Sequence, residues 1–209
     1  MDQKEVWNQV AEPWKIFRVN PDKEVINFLK NKKGKILDLA CGSGRNFVKS
    51  DEIKLYAVDF SSKMLEYAKD YVKKNNLEAE IFESSAEKLP FENNFFDYAI
   101  FIRALHCIDY EEKRKRALEE LYRVLKPNAE ILISVWNKDQ ERFKNSGKEE
   151  FIPWKHEGEE FMRYYYLYEE DEFLNLLREV GFEILKVGSE EIEGFNSKKN
   201  IVAVVRKPN

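Results

Sequence analysis

Sulfur and imidazole are scarce in this chain. Two cysteines, Cys41 and Cys107, and two histidines among 209 residues exclude a disulfide framework and leave no Cys/His cluster with metal-ligand spacing. This usage predicts a reducing, cytoplasmic setting and no metal site. Long apolar runs are missing too. The longest are strand-sized, such as Tyr98–Ile102, against the roughly 20 residues that a membrane-crossing helix needs, so no membrane association is expected. Met1–Ala11 carries acids and no apolar stretch, and no signal peptide is expected there. With 8 glycines and 6 prolines there is no low-complexity linker, and no internal repeat is visible. Nor is there an excess of basic charge. The 35 Lys+Arg against 39 Asp+Glu give −4, which offers no bulk support for a nucleic-acid partner, although binding depends on where charges cluster.

What is present is 43% hydrophobic and 35% charged. That is the balance of a folded protein, and the length suits a single domain over residues 1–209. Helical and strand patterns alternate up to Trp136, which predicts an α/β fold with a parallel sheet covered on both faces. N-terminal helices occupy residues 1–33: Glu5–Ala11, then Asn20–Lys33, capped by Asn20 and ended by Gly34. Strands are expected at Lys35–Leu39, Lys54–Val58, Ala79–Glu83, Phe96–Ile102 and Glu130–Trp136. Helices are expected near Asn46–Ser50, from the Ser61 cap through Lys74, and from Glu111 to Leu125, where Lys126-Pro127-Asn128 breaks the pattern. Asn137–Glu160 is polar and irregular, too long for an ordinary connection. It reads as part of a functional insertion over about residues 137–165. A helix at Glu169–Val180 and strands at Phe182–Val187 and Ile201–Val205 complete the chain.

The chemistry centres on Asp38-Leu39-Ala40-Cys41-Gly42-Ser43-Gly44, which follows a strand and is expected to open a helix. Gly42 and Gly44 lack a Cβ, so backbone amides can approach a ligand closely, and a helix start behind them favours a carboxylate. Asp59 ends the second strand, where an acid can hold both ribose hydroxyls of an adenosine cofactor. A dinucleotide site would want Gly-x-Gly-x-x-Gly, but Phe47 stands in the third position. Asp38, an acid inside the first strand, suits a ligand bearing an amino group better than a pyrophosphate.

This segment resembles the class I S-adenosylmethionine-dependent methyltransferase motif D-x-G-x-G-x-G, with Ala40 in place of the first glycine. Ser84-Ser85-Ala86-Glu87-Lys88-Leu89-Pro90-Phe91 resembles that family's D-A-E-x-L-P-F loop, with Ser85 in place of Asp. Phe95-Phe96-Asp97 and Glu120–Pro127 match later landmarks. The resemblance implies a doubly wound seven-stranded sheet of order 3-2-1-4-5-7-6 with strand 7 antiparallel. It implies S-adenosylmethionine as cofactor, held by Asp38, Ala40, Gly42, Gly44, Asp59, Phe60, Met64, Ser85, Ala86 and Ile102.

Outside the core, four segments resemble the family that converts 5-carboxymethyluridine at the tRNA wobble position to its methyl ester. They are Ala11-Glu12-Pro13-Trp14 through Phe17-Arg18; Ala104-Leu105-His106 with Lys113–Arg116; Ser134-Val135-Trp136 with Gln140-Glu141; and Phe151-Ile152-Pro153-Trp154 with Phe161–Tyr166. His106-Cys107 stands where that family commonly shows paired histidines. A carboxylate acceptor, with a pKa of about 4, is already ionised at pH 7. It needs orientation and a cation, not a base. Arg18, His106 and Arg163 are the candidate catalytic residues. Arg103, Trp136, Trp154 and Tyr164 are candidates for substrate contact, the aromatics by stacking an unpaired base. The resemblance also implies a tRNA anticodon loop as partner. It further implies a small zinc-binding activator protein, adding its strand to the edge of strand three near Ile81 and Phe82. Two rivals stand beside this reading. The same core serves a small-molecule methyltransferase, whose insertion should close an apolar pocket, and a non-enzymatic scaffold, which the intact Asp38, Gly42, Gly44 and Asp59 set disfavours. Arg18 and Arg163 as surface ion pairs, Lys113–Arg116 as a solvated helix face and Tyr164 as core packing are the plain alternatives.

Overall fold

Runs such as Ile36-Leu37 and Ala99-Ile100-Phe101, apolar on successive residues, suit strands buried on both faces. In the computed structural model, which describes residues 2–17, 20–156, 158–188 and 199–209, they form the middle of a seven-stranded sheet. Strands β1 (Gly34–Leu39), β2 (Ile53–Asp59), β3 (Ala79–Glu83), β4 (Phe96–Ile102) and β5 (Leu125–Trp136) are parallel. A separate antiparallel pair, β6 (Glu149–His156) and β7 (Glu159–Tyr166), precedes β8 (Glu183–Val187) and β9 (Asn200–Arg206). The sheet order is β3-β2-β1-β4-β5-β9-β8, with β9 antiparallel to both neighbours. Setting the β6–β7 hairpin aside, this is the expected order. Winding reverses between β1 and β4, so the loops after these strands diverge and leave a crevice at their carboxyl ends.

Helices α1 (Gln3–Phe17), α2 (Lys23–Leu29), α3 (Ser62–Asn75), α4 (Glu111–Val124) and α5 (Glu170–Val180) flank the sheet. On one face Leu37, Val58, Phe101 and Ile133 pack against Leu118, Leu121, Phe173 and Leu177 of α4 and α5. On the other, Ile36, Ile100 and Leu132 meet Val25 and Leu29 of α2, while Leu55 and Ala57 meet Leu65 and Ala68 of α3. An aromatic cluster of Tyr56, Phe82, Phe91, Phe95 and Phe96 closes the β2–β4 side, with Phe91 and Phe96 edge to face at 4.8 Å. Ser61 caps α3 as expected, its Oγ accepting from the Met64 N–H at 3.1 Å. Glu169 and Glu172 close a capping box on α5, and Gly181 ends that helix in the left-handed conformation.

Several boundaries differ from the sequence reading. α1 runs through Pro13 and is far longer than Glu5–Ala11. α2 begins at Lys23, not at Asn20, because Asp22 is tied elsewhere: its N–H donates to Asn46 Oδ1 at 3.1 Å and its carboxylate meets Arg45 and Arg103. Gly34 does not end a helix but starts β1, at φ +104°. No helix follows the glycine turn; residues 42–46 are turns and 47–50 are irregular. Arg45 and Asn46 spend their side chains on Asp22, and Phe47 folds back under Gly44, where an added Cβ would lie 2.7 Å from the ring. The polar stretch after Trp136 is ordered: a single 3₁₀ turn, Glu141–Phe143, leads into the β6–β7 hairpin. Its alternation is masked in sequence because apolar Phe151 and Met162 face outward and Glu150 stands on the more buried face.

Candidate active site

The crevice at the carboxyl ends of β1, β2 and β4 encloses a cavity of about 620 Å³. Ala40 to Ser43 form its floor, Asp59 and Phe60 one side, Ser84 to Glu87 another, and Ile102 to Ala104 the far wall. α1 roofs it with Trp7 and Trp14. The roof is fastened at several points. Ser61 Oγ donates to Asn8 Oδ1 at 2.7 Å, the Tyr164 N–H donates to Gln3 Oε1 at 2.9 Å, Gln3 Nε2 donates to the Met162 carbonyl at 3.2 Å, and Lys4 pairs with Glu83 at 2.8 Å.

The glycine turn curls tightly because three of its residues take positive φ: Ala40 at +57°, Gly42 at +55° and Gly44 at +84°. Ala40 therefore holds a conformation that a Cβ disfavours. Asp59, at the end of β2, accepts from the Gly42 N–H at 2.8 Å and the Ser61 N–H at 2.9 Å. Burial lifts its pKa to about 6 against those amides. Asp38 is 2% exposed, and its Oδ2 has no hydrogen-bond partner. Burial, then Asp59 and Asp22, raise its pKa well above the usual carboxylate range. A buried acceptor left unpaired is costly, and a ligand ammonium would satisfy it. With Asp59 free to accept ribose hydroxyls and a backbone turn open to close approach, this end fits an adenosine bearing an amino acid.

Behind the tryptophan roof lies a second polar group. Arg163 of β7 is 6% exposed, surrounded by the rings of Trp154, Trp14 and Tyr165 at 4.9, 5.6 and 5.3 Å from its guanidinium carbon. Its Nη1 donates to Tyr165 Oη at 2.8 Å, its Nε has no partner, and it makes no ion pair among the described residues. His106 lies in a 3₁₀ turn, Leu105–Cys107, beside the stacked pair of Trp136 and Tyr165, whose rings are 4.2 Å apart, and is 5.2 and 5.5 Å from them. Burial, with Arg103 nearby, drives its pKa down to about 3, so the imidazole is neutral. Cys41 and Cys107 line the cavity, and burial pushes the Cys107 thiol up to about 12, which suits packing and not nucleophilic attack.

The structure gathers Ala40, Gly42, Asp59, Phe60, Met64, Ser85, Ala86, Ile102 and Arg103 on the cavity wall; Asp38, buried in β1 one residue before the lining Leu39, does not itself line it. Gly44 shapes the turn without lining the cavity. Trp136, Trp154, His106 and Arg163 form a contiguous aromatic group behind α1 and do not line it. Tyr164 is a correction. It is 4% exposed and on the opposite face of β7, where Arg114 Nη1 donates to its hydroxyl at 3.2 Å and Phe151 packs on its ring. Alternation along β7 turns Arg163 and Tyr165 inward and Tyr164 away, so no base can stack there. Arg18 lies outside the described residues. Arg103 is bound to Asp22 and Glu24. Arg116 and Lys113 reach the cavity mouth. Sequence reasoning missed Trp7 and Arg45 as cavity residues; a tryptophan on a helix and an arginine after Gly44 carry no signal until α1 and α2 are placed. Among the described residues, no His, Cys, Asp and Glu group suits a metal, and no helix is long and apolar enough to cross a membrane.

Residues 36–128 match the family model of a methyltransferase domain. The tRNA (carboxymethyluridine(34)-5-O)-methyltransferase of Arabidopsis thaliana is 35% identical over 106 residues, which is 51% of this chain. The chain spans only about a quarter of that relative's length, 25%. Among solved structures, a SAM-dependent methyltransferase from Methanosarcina mazei superimposes with a TM-score of 0.75 at 22% identity, over 90% of this chain and 99% of that one. A protein from the complex between the Haloferax volcanii Trm112 methyltransferase activator and its methyltransferase gives 0.71 at 16% identity, over 100% of this chain and 99% of that one. Identities this low carry the fold alone.

Proposed function

We propose that this methyltransferase domain, whose cofactor is S-adenosylmethionine, esterifies a carboxylate: that of 5-carboxymethyluridine at the tRNA wobble position. The observation that carries the reading is Arg163. A guanidinium so deeply buried without a carboxylate is destabilising by itself, and an anionic acceptor would compensate it. The name of the plant relative supports the same substrate. When bound, the cofactor supplies a methyl group already activated by a sulfonium, so the domain has chiefly to align the two reactants. Asp38, Asp59 and the glycine turn would hold that donor, and transfer of its methyl to a carboxylate oxygen would leave a thioether and an ester with no proton to move. A neutral His106 suits this chemistry, since no base is required. Trp7 and Trp14 lie between the donor cavity and Arg163, so the acceptor would enter along that wall and exclude water there.

The unpaired edge of β3, with Ile81 and Phe82 half-buried, suits an added strand from a small zinc-binding activator. A protein of the same fold is known in complex with a methyltransferase activator, and an activator is proposed as partner here. A cytoplasmic location belongs to the same proposal.

The test is transfer of labelled methyl to tRNA bearing carboxymethyluridine, with and without a candidate activator. Label that mild alkali releases identifies an ester, and Arg163→Met should then abolish it while cofactor affinity stays within about threefold. Label that resists alkali refutes the ester. A second reading, a small-molecule methyltransferase, is favoured by the mixed mouth of the cavity, where Asp2, Glu87, Asp109 and Glu112 stand among Lys4, Lys113 and Arg116. It takes the lead if tRNA stays unlabelled while the protein binds cofactor.

A further inference from the structure

Arg103 follows β4 at φ +50°, a conformation disfavoured for any residue with a Cβ. Two bonds hold it there: its N–H donates to the Ser134 carbonyl at 2.9 Å and to Ser134 Oγ at 3.1 Å. Strain of this kind gathers at functional positions, and here it aims a guanidinium along the cavity wall. Arg103 Nη2 pairs with Asp22, and its Nη1 lies 3.3 Å from Glu24 Oε1. Arg45 Nη2 pairs with the same Asp22. Both arginines line the cavity, whereas Asp22 and Glu24 do not. The two acids therefore grip the guanidiniums from behind. Arg103 Nε and Arg45 Nε and Nη1 have no acceptor among the described residues. Asp22, which holds both arginines, is close enough to Asp38 to help raise its pKa, and Asp38 lies in β1 one residue before the cavity-lining Leu39, so the arginine pair and this acid flank the same turn.

An α-amino acid presents an ammonium and a carboxylate on a single carbon, and its receptor needs an anion and a cation side by side. Asp38 alone would take the ammonium, but Asp38, Asp59, Asp22 and Glu24 would together repel the carboxylate. The two arginines remove that conflict, and a guanidinium fork matches carboxylate geometry. We propose that Arg103 and Arg45 form the carboxylate subsite for the amino-acid end of S-adenosylmethionine, with Asp38 facing its ammonium and Asp22 as the positioning residue that holds both guanidiniums together. The proposal rests on the cofactor assigned above.

The test compares two ligands by calorimetry on the full chain. S-adenosylhomocysteine carries the amino acid; 5′-methylthioadenosine keeps the adenosine and thioether without it. Arg103→Met should weaken S-adenosylhomocysteine about tenfold or more and leave methylthioadenosine within about twofold. Arg103→Gly, which suits the positive φ, should do the same and guards against misfolding of the first variant. Asp22→Asn should lower the preference for S-adenosylhomocysteine over methylthioadenosine by about fivefold, a ratio that a general loss of stability would not move. Equal losses for both ligands, or undiminished S-adenosylhomocysteine binding, would overturn the subsite and leave the methyltransferase reading standing. If the wild-type chain binds neither ligand, the cofactor reading fails and the subsite with it.

Discussion

Acidification should unfold this protein partly through one histidine. His106 is 1% exposed, packed beside the stacked rings of Trp136 and Tyr165, and its Nδ1 has no hydrogen-bond partner. Its pKa falls from 6.5 to about 3 on folding, through burial first and Arg103 second. Between those values the unfolded chain binds a proton that the folded chain refuses, so stability rises with pH across the window and is lost as pH falls through it. Going from pH 7 to pH 5 crosses about 1.5 units below the unfolded value, which at about 1.4 kcal/mol per unit removes about 2 kcal/mol. For a chain of this size that is a fall of roughly 4–8 °C in melting temperature. Asp59 acts in the opposite sense. Its raised pKa makes the folded state bind the extra proton between 3.8 and about 6, so its contribution improves as pH falls through 6. The comparison with His106→Phe removes this and every other shared group. Denaturant unfolding of both proteins at pH 7 and pH 5 should show the wild type losing about 2 kcal/mol more than the variant. Equal losses would mean that His106 titrates in the fold as it does in water, and the buried neutral imidazole would be wrong.

Two further outcomes follow from the site. Ala40→Gly should stabilise the protein by up to about 1 kcal/mol, because relief of the left-handed strain, roughly 1–2 kcal/mol, exceeds the extra entropy of an unfolded glycine; a lower melting temperature would refute the strained turn. S-adenosylhomocysteine should bind about tenfold more weakly at pH 5 than at pH 7, because protonation near pH 6 removes the charge with which Asp59 accepts ribose hydroxyls. In Asp59→Asn the affinity should be low and lack this step, as titration calorimetry at both pH values would reveal.

The sheet was legible because its strands are buried on both faces, and continuous apolar runs such as Tyr98–Ile102 announce that without knowledge of their neighbours. β3 and β4 have the predicted ends. The placement of Asp38, the glycine turn and Asp59 was legible for a related reason. They sit at the carboxyl ends of neighbouring strands, so their spacing in the chain fixes their spacing in space. The sequence left Tyr164 open between base stacking and core packing, since two aromatic faces of β7 look alike until one is known to meet Trp154 and the other Arg114. The absent helix after Gly44 was equally hidden, because what replaces it is the attachment of Arg45 and Asn46 to Asp22, more than 20 residues earlier. Local pattern in the sequence therefore determined which segments are strands, while their order and the cofactor came from the resemblance of a short motif and its neighbours to a family. Tertiary structure decided which charges are compensated. Arg103 and Arg45 share the acid Asp22, while Arg163 is buried among rings with no ion pair among the described residues, and only the packing of α1, α2 and the hairpin onto the sheet brings or withholds those partners.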